Sequence, residues 1–371
     1  MKPHVMQLIF RMFPGGAERL ALTTLEKASP HVRGTVCGLF GGEGPLVPEI
    51  EARGLAWRTL DVIGRSRLTG IARLAALLRR EKVDILHAQD SYLLQWAAPA
   101  AWLAGVRLVY TEHATHGFET QPRARLLVRL LAPFLGGISC VTETLRNYMV
   151  DVLGVAPHRL RVIRNGVDTV RFSPAGPGKQ VAELPPGWGQ GGLVYGNVAR
   201  FCDAKDHPGL LRAFAAVRAT HPDARLLLVG DGERRDEAER LCGELGLEGA
   251  VHFTGTRRDI PELLRAMDVF VLSSRYEGMP VAVLEAMACG IPVVTTEVGG
   301  IGELVTDGET ARVVPPHDVQ ALAAAMRWMA DNPAHRQAMR EKAMEMVRSR
   351  CSDEAMLRGY LALYGVGEAH T

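Results

Sequence analysis

Aromatic residues make up only 6% of this 371-residue chain. No apolar run in it approaches the roughly 20 residues that a helix needs to span a bilayer. The six cysteines (Cys37, Cys140, Cys202, Cys242, Cys289 and Cys351) are scattered, with no C-x-x-C pair among them. That spacing argues against a zinc knuckle or a redox motif and suits a reducing compartment. No two aspartates lie two residues apart, so a D-x-D metal clamp is missing and no metal ligand is expected. The first residues lack the charged, apolar, small-residue succession of an export signal, and a cytoplasmic chain is the expectation. Neither sign of charge is in excess overall, with 43 Lys and Arg against 41 Asp and Glu, and no nucleic-acid partner is expected.

What the chain does have is apolar residues at 47%, enough for large buried cores, and a length that suits two domains. Short β-branched runs alternate with amphipathic stretches. Strands are expected at 5–10, 35–39, 85–88, 107–111 and 137–141, with helices between them such as 71–80, where Ile71, Leu74, Ala75 and Leu78 share one face. A Pro- and Gly-rich break follows, and then a second series with strands at 192–198, 225–229, 251–254, 269–272 and 292–295. Such alternation means βαβ units and parallel sheets. The expected organisation is an α/β fold of two facing Rossmann-like domains, 1–172 and 192–350, separated by a cleft. A hinge at 173–191 joins them, and a C-terminal helix, 351–371, is a candidate to cross back to the first. Charge is uneven between the halves. Residues 1–175 hold 22 Lys and Arg against 14 Asp and Glu, and the remainder 21 against 27. Arg58, Arg65, Arg67, Arg73, Arg79, Arg80 and Lys82, then Arg123, Arg125 and Arg129, suggest an anionic partner for the first half, such as an anionic membrane surface.

The most informative segment runs from Glu277 to Glu285. A strand precedes it, Pro280 suits a first helical position, Gly290 suits the residue after the helix, and a second strand follows. Both carboxylates therefore belong near the carboxyl end of a strand, Glu277 in a loop and Glu285 two turns into a helix. Open α/β sheets bind ligands at that end, and a helix N-terminus there suits a phosphate.

Five patterns occur in order: Gly15-Gly16-Ala17-Glu18-Arg19, Thr111-Glu112-His113, Arg164-Asn165-Gly166-Val167-Asp168, Arg200 with Lys205, and the Glu277–Glu285 pair. Together they resemble the retaining GT-B glycosyltransferases of the E-x7-E type, glycosyltransferase family 4, over almost the whole chain. The resemblance implies a nucleotide-diphosphate sugar, UDP- or GDP-linked, held mainly by the second domain, and a glycan or polyprenyl-diphosphate-linked acceptor held mainly by the first. It implies no cofactor besides the donor. Gly15 and Gly16 would let backbone N–H groups approach the diphosphate. Arg200 and Lys205 would neutralise it as the sugar bond breaks. Glu277, with Gly278, Met279, Pro280 and Val281, would hold the sugar, and Glu285 the ribose. His113 would lie near the anomeric carbon, and Phe253, Thr254 and Arg258 near the base. His113, Arg200, Lys205 and Glu277 are the candidate catalytic residues. Cations at a helix start oppose its dipole, which points to an anion beside Arg200 and Lys205. Asn165 and Asp168 are expected to shape a loop, with Asn-Gly favouring a positive-φ turn. Gly299-Gly300 is a weaker candidate for approach to the diphosphate. The rival readings are a nucleotide-sugar epimerase or a phosphorylase on the same fold, or a non-catalytic nucleotide-sugar-binding subunit.

Overall fold

The computed structural model describes residues 2–13, 15–120, 122–176, 184–185, 188 and 191–366. The chain divides into two compact units. The first runs to Gly166 and takes back the residues from Asp353 on, and the second spans Val167–Ser352. The division thus falls at Gly166 rather than at 172, and the return at Asp353 rather than at 351. Most of the expected 173–191 hinge, namely 177–183, 186–187 and 189–190, lies outside the described residues. Val167 pairs with the far end of its own unit, its N–H donating to the Cys351 carbonyl at 2.9 Å.

Unit 1 contains strands β1 (His4–Ile9), β2 (Arg33–Gly38), β3 (Ala56–Thr59), β4 (Ile85–Ala88), β5 (Arg107–Glu112), β6 (Gly137–Cys140) and β7 (Leu160–Val162). They form a sheet in the order β3-β2-β1-β4-β5-β6-β7, parallel throughout. Its helices are α1 (Gly16–Ala28), α2 (Val47–Ala52), α3 (Arg67–Arg80), α4 (Ser91–Ala104), α5 (His116–Thr120), α6 (Pro122–Leu131) and α7 (Glu143–Asp151). Unit 2 carries β8 (Val194–Val198), β9 (Arg225–Val229), β10 (Val251–Phe253), β11 (Val269–Leu272), β12 (Val293–Thr296) and β13 (Arg312–Val314), parallel in the order β10-β9-β8-β11-β12-β13. Around it are α8 (His207–Arg218), α9 (Arg235–Glu244), α10 (Ile260–Arg265), α11 (Val281–Ala288), α12 (Ile301–Leu304), α13 (Val319–Asp331) and α14 (Pro333–Arg350). Both orders reverse direction beside the first strand of the unit. The loops at the carboxyl ends of β1 and β4, and of β8 and β11, therefore diverge there and leave a crevice for a ligand.

The central strands β1, β4 and β11 are buried along their full length, which is why they read as mainly apolar runs, interrupted only by His4, Gln7 and His87. Strands β3, β7 and β13 escaped the sequence reading. They are short and carry half-buried residues (Trp57, Arg58, Arg312) or an exposed one (Arg161), so they lack that signature.

The last helix, α15 (Asp353–Tyr364), packs on α1 and β6 of unit 1. Its Tyr364 enters a buried polar chain. Gln7 Nε2 donates to Tyr364 Oη at 3.0 Å, and that oxygen lies 2.8 Å from His87 Nδ1. His87 Nε2 lies 2.7 Å from Thr111 Oγ1, itself 2.6 Å from Ser139 Oγ. Tyr364→Phe orphans the buried Gln7 and His87 groups at about 1–3 kcal/mol each. In a unit of this size each kcal/mol lowers Tm by about 2–4 °C. Thermal unfolding of the variant is expected to show a loss of several degrees, and an unchanged Tm would exclude a stabilising role for the chain of bonds.

Candidate functional site

Unit 2 gathers most of the expected donor residues at the carboxyl ends of β8 and β11. After β8 the backbone is tied to the loop after β9, with Ala199 N–H on the Val229 carbonyl and Phe201 N–H on the Asp231 carbonyl, each at 3.0 Å. Arg200 lies exposed between those ties. A short 3₁₀ turn, Asp203–Lys205, follows, and Asp206 then caps α8 in the left-handed conformation (φ 48°). Lys205 therefore sits before the helix, not in its first turn.

Directly after β11, Ser273 Oγ donates to the carbonyls of Lys205 (2.8 Å) and Asp206 (3.2 Å). Ser274 Oγ donates to Glu277 Oε1 at 2.6 Å, and Lys205 Nζ reaches the same oxygen at 2.5 Å. Arg275 closes the cradle, its guanidinium donating to Asp206 Oδ1 at 2.8 Å. The anion expected beside the cations thus includes a side chain of the chain itself, Glu277. Its carboxylate is 9% exposed, so the pair lies largely out of water, where charge-assisted bonds are strong. An ammonium has three protons, and two of those on Lys205 are left for a ligand once Glu277 has taken one.

The Glu277 loop is buttressed from β12. Thr296 Oγ1 donates to the Ser274 carbonyl at 2.6 Å, and Gly300 N–H to the Gly278 carbonyl at 2.7 Å. Gly299 has φ 55°, and a Cβ there would lie 1.9 Å from the Glu277 carbonyl oxygen. Gly299-Gly300 therefore serves to seat the Glu277 loop. Pro280 is the cap of α11 and Val281 its first residue, so the proline stands one position earlier than expected, with extended ψ (113°). Glu285 is in consequence the fifth helical residue, little more than one turn in, and half-buried. Met279 and Pro280 are buried and Gly278 and Val281 half-buried. Gly290, at φ 72°, ends the helix.

Of the expected base residues, Phe253 packs its ring 6.0 Å from Phe201 against the unit's core, Thr254 N–H bonds the Leu228 carbonyl at 3.0 Å, and Arg258 is exposed. Phe201 stacks on the His207 ring at 3.9 Å. Both His207 nitrogens are buried without a hydrogen-bond partner, and burial beside the Lys205 charge lowers the imidazole to about 4.

In unit 1, Gly15 caps α1 in an extended conformation and Gly16 is its first residue. A Cβ on Gly15 would meet only the mobile end of the Glu18 side chain, so internal packing does not demand glycine there. His113 follows β5. Its Nε2 is 2.8 Å from Gln89 Oε1, and Gln89 Nε2 donates to Gln7 Oε1 at 2.6 Å, which joins His113 to the Tyr364 chain. In this arrangement Nε2 holds the proton and Nδ1 is the free acceptor. Burial lowers His113 to about 4, so the ring is neutral near pH 7. Glu112, which the sequence reading passed over, is buried. Burial and the Asp90 carboxylate push it up to about 7, while Tyr110 Oη and the backbone N–H of His113 (2.9 Å) donate to it. Ser273, Ser274 and Gln89 were also missed. Serine after a strand and glutamine after a buried run are too common to stand out. Asp168 Oδ1 accepts from the N–H groups of Val170 (3.0 Å) and Arg171 (2.9 Å). Gly166, against expectation, does not have positive φ.

Two parallel Rossmann-like sheets with a cation–carboxylate cradle at the carboxyl end of the second define a GT-B glycosyltransferase. Anabaena HepE, solved with UDP and glucose, shares the fold at TM-score 0.86 and 23% identity over 97% of this chain and 99% of its own. The chain belongs to the group 1 and family 4 glycosyltransferases. "Glycosyl transferases group 1" matches residues 185–346 and "Glycosyltransferase Family 4" residues 14–171. It is 33% identical to a putative glycosyltransferase EpsF of Bacillus subtilis over 79% of each chain. It is 30% identical, over 71% of each, to the Escherichia coli UDP-Gal:alpha-D-GlcNAc-diphosphoundecaprenol alpha-1,3-galactosyltransferase.

Two outcomes follow. Gly299→Ala forces the Glu277 carbonyl aside, and nucleotide-sugar KM is expected to rise severalfold while the fold persists by circular dichroism; unchanged kinetics would show that the loop tolerates the shift. His87, lowered by burial to about 3, joins His113 and His207 in staying neutral when folded. Unfolded imidazoles take up protons near pH 6.5. Between about 6.5 and 4 the unfolded state therefore binds more protons, and stability falls as pH falls through that window. His207→Phe removes one such group, and its Tm loss between pH 7 and pH 5 is expected to be smaller than that of the parent.

Proposed function

We propose that this glycosyltransferase moves a hexose from a UDP- or GDP-sugar to a hydroxyl of a glycan or polyprenyl-diphosphate-linked acceptor, with retention at the anomeric carbon, in cell-surface polysaccharide synthesis. The observation that carries the reading is the Lys205–Glu277–Ser274 cradle at the carboxyl end of β8 and β11. In it the carboxylate expected to meet the sugar is held against a cation suited to a diphosphate. The likeness to HepE, solved with UDP and glucose, and to a galactosyltransferase named for a diphosphoundecaprenol acceptor supports the donor and acceptor classes.

The donor diphosphate departs as the acceptor hydroxyl attacks on the same face, through an oxocarbenium-like transition state. Lys205 and Arg200 stabilise the leaving phosphate without a metal, and the α1 N-terminus at Gly15-Gly16 adds backbone N–H groups and a positive dipole end. Glu277 and Gly278–Val281 hold the sugar, Glu285 the ribose, and neutral His113 the anomeric side. Phe253, Thr254 and Arg258 border the base. Front-face attack is preferred over double displacement because Glu112, the carboxylate adjoining His113, is buried with its oxygens already engaged. The enzyme works in the cytoplasm, peripheral to an anionic membrane face through its Arg-rich first unit.

Arg200→Ala and Lys205→Ala are each expected to lower kcat by more than about tenfold, roughly 1.4 kcal/mol of transition-state stabilisation. Nucleotide diphosphate release from UDP- and GDP-sugars, with and without a lipid-linked acceptor, measures it. A smaller loss in both would rule out phosphate stabilisation by these cations, and an inverted anomer by NMR would rule out retention.

A further inference from the structure

Large apolar side chains are exposed unevenly on this chain. Of the thirteen exposed among the described residues, eleven belong to unit 1 and only Val170 and Tyr276 to unit 2. Five of the eleven form one ridge. Leu126 and Leu130 on α6 and Phe134 in the turn after it recur every four residues and are 58%, 59% and 68% exposed. The Trp102 ring at the end of α4 meets Phe134 edge-on at 6.1 Å, and Leu103 follows it, 57% exposed. Arg123, Arg125 and Arg129 interleave with the leucines on α6, and none of the three is in a salt bridge among the described residues.

Leu135, the residue after Phe134, lines a cavity of about 270 Å³. Liquid water occupies about 30 Å³ per molecule, so the space admits a phosphate-bearing group. Its charged lining residues are all guanidinium groups, Arg107, Arg159 and Arg161, with the His158 ring beside them and no carboxylate among the lining residues. Arg107 caps the end of α15, donating to the carbonyls of Tyr364 (2.7 Å) and Leu363 (2.9 Å). Arg159 reaches the Leu135 carbonyl at 3.4 Å. Burial and the Arg161 charge both lower Arg107, a mark of guanidinium groups gathered without a counter-anion. The cavity lies at the amino ends of β5, β6 and β7, the opposite sheet edge from His113.

We propose that this face of unit 1 docks on an anionic bilayer, the Leu126–Leu130–Phe134–Trp102 ridge entering the interface and the Arg107–Arg159–Arg161 cavity receiving a lipid headgroup phosphate. The inference rests on the membrane attachment proposed above and assigns it a surface. An amphipathic helix with arginines beside its apolar stripe lies in the plane of such an interface, and tryptophan favours that depth. A second copy of the chain is a poorer occupant. A two-fold contact would set the same arginines against each other, with no carboxylate to answer them.

The test is co-sedimentation of the full chain with phosphatidylcholine vesicles with and without phosphatidylglycerol. Binding is expected only with phosphatidylglycerol. Leu126→Glu/Leu130→Glu and, separately, Arg159→Glu/Arg161→Glu are each expected to weaken it at least tenfold, while Val170→Glu on unit 2 leaves it unchanged. All three substitute exposed or cavity-lining positions, and donor turnover with a soluble acceptor reports that the variants are folded. Binding to phosphatidylglycerol vesicles that survives both double variants overturns the assignment of this face but leaves membrane attachment standing. No binding by the parent overturns both. Concentration-dependent dimerisation abolished by Leu126→Glu/Leu130→Glu, without vesicle binding, would make the ridge a self-interface and equally overturn the proposal.

Discussion

Parallel pairing is the constraint on which the rest of this structure depends. A parallel ladder cannot be closed by a hairpin, so every strand must return through a crossover, and the helices of those crossovers cover both faces of the sheet. Two consequences organise the function. The strands are buried on both sides and can be almost wholly apolar, and every βα loop emerges at one edge. Chemistry-bearing residues far apart in the chain, such as Lys205 and Glu277, meet there because β8 and β11 are neighbours in the sheet.

At that edge the balance of charge is internal before any ligand arrives. Lys205 and Glu277 share a largely dry contact, steadied by Ser274, while Ser273 and Arg275 fix the backbone that carries the lysine. Such pre-orientation lets a site act without reorganising as charge develops. Unit 1 uses a different device. Its His113 ends a chain of neutral hydrogen bonds running through Gln89, Gln7 and Tyr364 to His87. Burial keeps both imidazoles uncharged, so orientation rather than charge is what the chain transmits. The helix that supplies Tyr364 comes from the far end of the sequence, which ties the geometry of His113 to the C-terminal return.

Legibility followed burial. Strands β1, β4, β8, β9 and β11 were evident as apolar runs because water is excluded from both of their faces. The edge strands β3 and β7 and the short β13 were not, because half-buried Arg58 and Arg312 and exposed Arg161 break the pattern. Helix α11 was placed within a residue, yet Pro280 proved to be a cap, since helical φ in proline is compatible with either position and only ψ separates them. Gly299 also has a reason to be glycine that its sequence context did not show. Its lack of a side chain serves the Glu277 carbonyl, a contact between loops that no local pattern records. Lys205 was legible as a cation near a helix start, but its partner was not, because the two are 72 residues apart.

The sequence by itself determined the class of fold, the existence of two α/β units, and the family residues that repeat in a fixed order, because all of these rest on local periodicity and short spacings. Tertiary structure alone decided that Glu277 answers Lys205, that Tyr364 reaches back to the first sheet, and that a cavity lined by Arg107, Arg159 and Arg161 forms at the opposite edge from His113. Each of those is a juxtaposition across many residues of chain, set by strand order and by which helix faces remain uncovered, and neither quantity is written in any local stretch of residues.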